Sequence, residues 1–219
     1  MSWESPALNL WFQGRQLHIG MCGLYRIISH QYYFVSIKST LRKQLNNKRA
    51  LLSKQEVNEL SSIICQNIVT FSNFKKITTV ALYYAHGNEV DLSSIHKSNK
   101  NLSLPVIHTK NTMSFHAINN ETKLVENKYG IFEPLNTTII KPEKIELCLM
   151  PLVGFNKKGH RLGMGGGYYD RYFSMNKMKK KPTILIGIAY AFQENDTIKV
   201  DPWDVPLDFI ITDKEIIKP

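Results

Sequence analysis

Two long, almost uninterrupted apolar segments constrain the fold of this 219-residue chain more than any other feature. They cover residues 145–155 and 183–190, and aliphatic side chains dominate both. Continuous apolar runs of this kind are typical of strands that other elements cover on both faces, as in parallel sheets. The sequence therefore predicts a central sheet buried between two layers, rather than a sheet with one solvated face.

Helical patterns alternate with strand-like segments along the chain. A basic helix is predicted over residues 39–52, after which Ser53 and Glu56 fit the N-cap and N3 positions of a capping box that opens a second helix. Asp91 is expected to cap a short helix. Further strands are predicted at residues 77–84, 102–108, 112–118 and 208–212. Strands that alternate with helices indicate an α/β layered domain.

Composition narrows the class of protein. The hydrophobic fraction of 43% is ample for a packed core, and no apolar run is long enough to span a bilayer. The cysteines Cys22, Cys65 and Cys148 show neither a disulfide framework nor zinc-ligand spacing, which favours a reducing compartment, and we expect a cytoplasmic protein. The formal charge of +10 suits an anionic ligand, a nucleic acid or an acidic membrane surface.

A glycine-rich stretch follows the first apolar segment and leads into a predicted helix at residues 168–175. Glycines permit positive φ and close approach of the backbone, and a helix start favours an anion, so this arrangement suits phosphate. Arg161 and Arg171 flank the turn, and Asp170 lies at the helix start. The set could hold a polyphosphate and its metal ion.

Glycine spacing alone leaves two interpretations of this stretch open. No Lys-Ser or Lys-Thr follows the glycines, so the stretch is not a P-loop, and Tyr168 stands where a dinucleotide-binding fingerprint has its third glycine. An ordinary tight turn and an anion site remain alternatives. The neighbouring Arg161 and the Tyr-Tyr-Asp sequence favour the anion site.

These residues also carry a family resemblance. The sequences PLVGFNKKGHRLG (residues 151–163) and GGGYYDR (residues 165–171) resemble the signature of the 5-formyltetrahydrofolate cyclo-ligases, also called methenyltetrahydrofolate synthetases. Gly166 stands where some members carry lysine. The resemblance covers residues 38–211 and implies a three-layer α/β/α domain with a mostly parallel central sheet, resembling the NagB/RpiA/CoA-transferase-like fold. Residues 38–219 are then the domain, and residues 1–37 a weakly ordered extension outside the family.

The resemblance implies an ATP site built from the first helix and the glycine-rich stretch. Physically, positions i and i+4 of a helix share a face, so Lys38 and Arg42 could reach one anion, although a solvated face is the common alternative. The implied ATP-binding residues are Lys38, Ser39, Thr40, Leu41, Arg42, Arg161, Leu162, Gly163, Met164, Gly165, Gly166, Gly167, Tyr168 and Tyr169.

The same resemblance implies a folate site and a magnesium site beside the nucleotide. A carboxylate can accept hydrogen bonds from the pterin N–H groups, and an aromatic ring can stack on the pterin. The implied folate-binding residues are Tyr84, Glu89, Met164, Gly165, Gly166, Gly167 and Tyr168, with Tyr129 as a possible pocket wall. Asp170 and Asp204 match the carboxylates implied to hold Mg²⁺, with Asp201 and Asp208 as alternatives to Asp204.

The implied reaction is the ATP-dependent cyclisation of 5-formyltetrahydrofolate to 5,10-methenyltetrahydrofolate by a monomeric enzyme. Lys38, Arg42 and Arg161 would stabilise phosphate charge, without a covalent catalyst. One alternative is a basic nucleic-acid-binding module, although no stacking platform or DNA-binding motif is visible. The other is a relative of the sugar-phosphate isomerases or CoA-transferases, which would turn over without ATP.

Overall fold

The computed structural model describes residues 8–12, 15–19, 37–178 and 181–219. The chain divides into two compact units, Met1–Leu41 and Arg42–Pro219. In the first unit, strands β1 (Leu8–Phe12) and β2 (Arg15–Ile19) form an antiparallel pair. Most positions of the predicted extension, residues 1–37, lie outside the described residues, so its predicted weak order and the predicted domain boundary stay predictions.

Four α-helices are present in the described part of the chain. Helix α1 covers residues 37–50, and it is followed by α2 (Lys54–Thr70), α3 (Ser72–Lys76) and α4 (Tyr168–Phe173). The predicted capping box is confirmed, because the Ser53 hydroxyl accepts from Glu56 N and the Glu56 carboxylate accepts from Ser53 N. The first helix ends at residue 50 rather than 52, since Asn88 Nδ2 donates to the carbonyls of Arg49 and Leu52 and satisfies the helix end.

The other strands are short and frequent. They are β3 (Thr79–Ala81), β4 (Asn101–Ile107), β5 (Met113–Ile118), β6 (Leu124–Glu126), β7 (Phe132–Pro134), β8 (Ile139–Ile140), β9 (Leu147–Pro151), β10 (Gly154–Phe155), β11 (Arg161–Leu162), β12 (Ile184–Ile188), β13 (Phe209–Ile211) and β14 (Ile216–Ile217). Short 3₁₀ helices cover Ser93–Lys97, Thr109–Asn111, Pro142–Lys144, Asn176–Met178 and Ala191–Gln193.

Eight of these strands form the central sheet, in the order β14-β13-β12-β9-β3-β4-β5-β8. The five inner strands from β13 to β4 run parallel, whereas β14, β5 and β8 are antiparallel additions at the two sides. The mostly parallel central sheet predicted from the apolar segments is therefore confirmed.

Alternate residues of β9 bury their side chains in two different apolar clusters. Leu149 shares a cluster with Ile68 of α2, whereas Met150 shares the other cluster with Phe173 of α4. Because successive side chains of a strand point to opposite faces, the sheet is covered on both sides. The arrangement is three-layered, as the near-continuous apolar runs predict.

The predicted strand over residues 145–155 is wrong in its second half. The sheet strand β9 ends at Pro151, and β10 pairs instead with β11 in a separate two-stranded unit. Val153 N already donates to Leu162 O at 2.8 Å, so the chain leaves the sheet at residue 152. The first strand is also shorter than predicted, Thr79–Ala81 instead of residues 77–84, whereas β4, β5, β12 and β13 lie within the predicted ranges or one residue from them.

The parallel strands β3, β9 and β12 end at the same edge of the sheet, here called the carboxyl edge. Residues 82–89 follow β3 at this edge, and the glycine-rich stretch follows β9 through the β10–β11 pair. The opposite side, where these strands begin, is called the amino edge. Within the described residues, no helix is both long and apolar enough to cross a membrane.

Candidate active site

A glycine loop, defined as residues 163–167, precedes α4. Gly165 and Gly167 have φ of +103° and +63°, in the left-handed region that side chains rarely adopt. A Cβ on Gly166 would lie 2.7 Å from the Tyr168 ring, and one on Gly167 would lie 2.8 Å from Arg171 Nη1. Glycine is therefore favoured by the backbone conformation at positions 165 and 167, and by the lack of space for a Cβ at positions 166 and 167.

Arg42 lies directly over the glycine loop. Its Nε donates to Gly163 O at 2.7 Å, and its Cζ is 3.6 Å from where a Cβ of Gly165 would stand. Burial lowers the pKa of Arg42, and the nearby carboxylates of Asp204 and Asp201 counteract this effect. One cation and two carboxylates thus meet at the glycine loop.

The structure says less about the other residues predicted to bind ATP. Lys38, Ser39, Thr40 and Leu41 belong to the first compact unit, so their approach to the glycine loop stays a prediction. Leu162 is buried in β11, and its carbonyl accepts from Val153 N, so only its backbone could contribute to a site. Met164, by contrast, has 67% of its surface exposed.

Arg161 is buried and holds two other segments together. Its Nη2 donates to Asp170 Oδ1 at 2.5 Å, and its Nη1 donates to the carbonyl of Val205. Val205 N donates to the same Asp170 oxygen at 3.0 Å. Arg161 and Asp170 therefore neutralise each other and anchor residues 201–206 beside the glycine loop.

The structure separates the carboxylates that the sequence left as alternatives. Asp204 Oδ2 accepts from Asp201 N at 2.9 Å, and both act on Arg42 at the carboxyl edge. Asp208 Oδ2 instead accepts from Leu185 N at 2.8 Å, at the start of β12 and thus at the amino edge. Among the described residues, no group of three or more His, Cys, Asp or Glu side chains is arranged to hold a metal ion.

A tyrosine pair joins residues 127–131 to the start of α4, directly after the glycine loop. A hydrogen bond between the hydroxyl groups of Tyr168 and Tyr129 raises the pKa of Tyr168 and lowers that of Tyr129. The ring Nδ1 of His86 lies at hydrogen-bond distance, 3.2 Å, from Gly130 O. Residues 127–131 thus contact both Tyr168, the first residue of α4, and the segment that carries Glu89.

Glu89 lies in a nearly closed environment. Its Oε2 accepts from His86 N at 3.1 Å, and its Oε1 is 3.6 Å from Arg49 Nη1. Burial raises the pKa of Glu89, and the Arg49 charge opposes this rise. Tyr84, on the same segment as Glu89, packs against Phe132 with ring centroids 5.2 Å apart.

Tyr169 links the two halves of this region. Burial raises the pKa of its hydroxyl well above the ordinary value, and the charges of Glu89 and Arg161 both act on it. Its ring packs against Phe115 on the α4 side of the sheet. Tyr169 therefore lies close enough to interact electrostatically with both Glu89, predicted to bind folate, and Arg161, predicted to act on phosphate.

Sequence reasoning missed Arg49 and Phe132. Arg49 looked like one of many cations on a basic helix, although its spacing of seven residues from Arg42 was a usable signal. Phe132 lies in the segment Tyr129 to Pro134, but nothing in that sequence shows which ring contacts Tyr84. Both residues depend on long-range packing.

A surface cavity of about 370 Å³ lies elsewhere, at the amino edge. Its lining includes Thr183, Ile184, Leu207 and Asp208, which precede or open β12 and β13. Arg42, Glu89, Asp204 and the positive-φ glycines Gly165 and Gly167 lie at the carboxyl edge instead. Since ligands of open α/β sheets bind beyond the carboxyl ends of the strands, the carboxyl edge is the candidate active site.

Comparisons with known proteins identify the family of this chain. Residues 35–213 match the 5-formyltetrahydrofolate cyclo-ligase family. The 5-formyltetrahydrofolate cyclo-ligase of Mycoplasma pneumoniae is 39% identical over 182 residues, covering 81% of this chain and 99% of the relative. That of Haemophilus influenzae is 32% identical over 178 residues, covering 78% and 94%.

Solved structures give the same result. The NMR structure of Aquifex aeolicus 5,10-methenyltetrahydrofolate synthetase superposes with a TM-score of 0.72 at 34% identity, covering 83% of this chain and 92% of that one. The 5,10-methenyltetrahydrofolate synthetase of Mycoplasma pneumoniae superposes with a TM-score of 0.66 at 34% identity, covering 81% and 99%.

Proposed function

Because the chain belongs to the 5-formyltetrahydrofolate cyclo-ligase family, we propose that its carboxyl edge is the site of the family's reaction. The chain is a ligase of folate one-carbon metabolism, and the reaction converts 5-formyltetrahydrofolate and ATP into 5,10-methenyltetrahydrofolate, ADP and phosphate. The observation that most supports this placement is the Arg42 guanidinium over the glycine loop, bonded to Gly163 O at 2.7 Å.

The chemistry requires activation of an amide-like oxygen. Transfer of the γ-phosphoryl group to the formyl oxygen breaks the bond to ADP and gives an iminium phosphate. The N10 amine then attacks the formyl carbon and releases its N–H proton to solvent, and phosphate leaves with the formyl oxygen as the methenyl bridge forms. Such a sequence needs alignment of the two substrates and neutralisation of phosphate charge, rather than a nucleophile from the protein.

The glycine loop and its cations supply that neutralisation in our proposal. Backbone N–H groups of residues 163–167 would face the phosphates, with Arg42 above them and Lys38 as a further cation from the same helix. Arg161 is paired with Asp170, so its main part in the site would be to keep residues 201–206 in place through its bonds to Asp170 and Val205 O. With Arg161 only 5% exposed, direct phosphate contact falls to Arg42.

The donor set at the loop fits Mg²⁺ shared with phosphate better than a metal held by protein alone. Each of the two carboxylates already accepts hydrogen bonds at one oxygen, Asp204 from Asp201 N and Asp170 from Arg161 and Val205 N. Asp204 and Asp170 would hold the ion together with phosphate oxygens. The bound ion would supply further neutralisation of the triphosphate.

The folate is proposed to lie between the loop and Glu89. The Glu89 carboxylate would accept from pterin N–H groups, while Tyr84, Phe132 and Tyr129 would offer ring faces to the pterin and the aminobenzoyl group. Tyr168 stands at the junction, since its hydroxyl bonds with that of Tyr129. A monomeric, cytoplasmic enzyme is part of the proposal, and the buried thiols of Cys65 and Cys148 support a reducing compartment.

The test is a spectrophotometric assay of methenyl product formation with 5-formyltetrahydrofolate and Mg-ATP. We expect product only when both ATP and Mg²⁺ are present, and loss of product when the metal is chelated. Product without ATP would contradict the proposal and favour an isomerase-like reaction. Salt-sensitive RNA or DNA binding without any folate turnover would favour the nucleic-acid alternative.

A further inference from the structure

Helix α1 carries two arginines that reach different parts of the site. Arg42 bonds to the glycine loop, and Arg49 forms an ion pair with Glu89. Seven residues of α-helix correspond to nearly two full turns, about 10.5 Å of axial rise with almost the same facing direction. One rigid element therefore contacts both the loop assigned to ATP and the carboxylate assigned to the pterin.

Arg49 lies in a tight environment. The residue is 9% exposed, its Nη1 is 3.6 Å from Glu89 Oε1, and the same Nη1 donates to Leu152 O at 3.5 Å. The space between Arg49, Tyr83, Glu89 and Gln193 leaves no room for a water molecule. A largely buried charge pair is weakly screened, so Arg49 biases the orientation of Glu89 and favours its charged form.

The segment that carries Glu89 is fixed to α1 a second time. Asn88 Nδ2 donates to Arg49 O at 3.1 Å and to Leu52 O at 2.9 Å. Asn88 thus binds backbone carbonyls at the end of α1, and the adjacent Glu89 pairs with the Arg49 side chain of the same helix. Movement of α1 relative to Glu89 would have to break both contacts.

The groups that face Glu89 come from several elements. Arg49 reaches it from α1, His86 and Tyr83 from its own segment, Tyr169 from α4 and Tyr190 from the end of β12. Among these, Arg49 supplies the permanent positive charge, and it opposes the rise that burial causes in the pKa of Glu89.

We propose that Arg49 is a positioning residue for Glu89 and that α1 sets the separation between the ATP loop and the pterin carboxylate. The inference rests on the proposed function, which assigns Glu89 to the folate. Arg49 acts through Glu89 and touches neither substrate. Its loss would leave Glu89 present but poorly oriented and less often ionised.

The first test compares Arg49→Met with Lys48→Met, a neighbouring exposed cation of the same helix. We expect Arg49→Met to raise the KM for 5-formyltetrahydrofolate about tenfold or more, the scale of a lost bond to a charged group, with little change in the KM for ATP. Lys48→Met should behave as wild type. Arg49→Lys, which keeps the charge, should show a smaller rise in the KM for 5-formyltetrahydrofolate. It can replace Arg49→Met in the test if the Met variant folds poorly.

The pH profile separates positioning from a merely structural role. Without Arg49 the pKa of Glu89 rises further, so the acid limb of kcat/KM should move to higher pH in Arg49→Met and stay in place in Lys48→Met. An unmoved acid limb together with an unchanged folate KM would overturn the proposal.

A double-mutant cycle with Glu89→Gln distinguishes the possible failures. If Arg49 acts through Glu89, adding Arg49→Met to Glu89→Gln should cost far less than it costs alone. Equal costs in both backgrounds would refute the coupling. If Glu89→Gln itself leaves the folate KM unchanged, the folate assignment in the proposed function is wrong; if only Glu89→Gln has an effect, Arg49 alone has been misassigned.

Discussion

The two edges of the central sheet use charged residues in opposite ways. At the amino edge, Glu146 Oε2 accepts from Thr78 N and Thr79 N at 2.9 and 3.0 Å, and Lys181 pairs with Oε1 at 2.9 Å. The Lys181 hydrogen bond and these backbone donors lower the pKa of Glu146 to about 2. At the carboxyl edge, burial raises the pKa of Glu89 instead.

The comparison teaches how one sheet divides stability from function. At the amino edge, the Glu146 carboxylate satisfies two backbone donors at the start of β3 and is stabilised in its charged form. At the carboxyl edge, burial disfavours the charged forms of both Arg42 and Glu89. Charges that the fold itself does not fully stabilise are common where a ligand completes the interaction.

The largest expected effect comes from removing a carboxyl-edge charge. Arg42→Met should lower kcat/KM for ATP roughly 10²-fold or more, the scale seen when one preorganised donor to a developing anion is lost. Thermal stability should change little. Steady-state kinetics and a melting curve measure the two quantities, and Lys43→Met, at a neighbouring exposed position, is the control. Near-normal ATP use by Arg42→Met would contradict a functional role for charge at the carboxyl edge.

A smaller effect is expected from the loop backbone. Gly165→Ala places a side chain at φ +103°, which costs on the order of 1–3 kcal/mol if the loop keeps its shape, so the KM for ATP should rise roughly tenfold. Gly163→Ala is the matched control, because a Cβ there has nothing within 4 Å. Equal behaviour of the two variants would show that the left-handed conformation of Gly165 is dispensable.

An amino-edge substitution should affect stability and leave activity alone. Glu146→Gln should lower the free energy of unfolding at pH 7 by about 1 kcal/mol after allowance for solvent screening, or a shift of about 2–4 °C in Tm, with kcat unchanged.

The pH dependence of this effect has a defined sign. The folded-state pKa of about 2 lies below the ordinary value of 4.5, so the stabilisation is present above pH 4.5 and is lost as pH falls towards 2. Denaturant melts of wild type and Glu146→Gln should therefore converge over that range. Curves that stay equally far apart at low pH would disprove the assignment.

The smallest effect belongs to Lys181. Its side chain is 80% exposed, so Lys181→Met should cost about 0–0.5 kcal/mol at moderate salt and less at high salt. Denaturant melts at two salt concentrations measure it. A loss as large as that of Glu146→Gln would mean that the ion pair, and not the backbone donors, secures the amino edge.

Local patterns predicted most of the fold. The capping box at Ser53 depends on residues three apart, and the covered strands on a continuous apolar run, so neither needs long-range information. Residues 152 and 153 are as apolar as β9, and hydrophobicity alone could not show that the chain leaves the sheet there to pair with β11.

The candidate site was predictable where chemistry and sequence spacing coincide. The glycine loop and Glu89 lie at the carboxyl edge, as the order of strands and loops implies, whereas Arg42 was assigned to this site by the family resemblance. Arg49 was not predictable, because only the folded chain shows that this cation of a basic helix is largely buried and pairs with Glu89. Asp208 could be set aside only once its bond to Leu185 N was known.

The seven-residue interval between Arg42 and Arg49 makes the helix intolerant of length changes. Deleting a single residue between them would turn one guanidinium about 100° around the axis and shift it about 1.5 Å, so one of the two contacts would be abandoned. Natural variants and engineered versions of this enzyme should accordingly tolerate substitutions at the exposed positions among residues 43–48, but no insertion or deletion between Arg42 and Arg49.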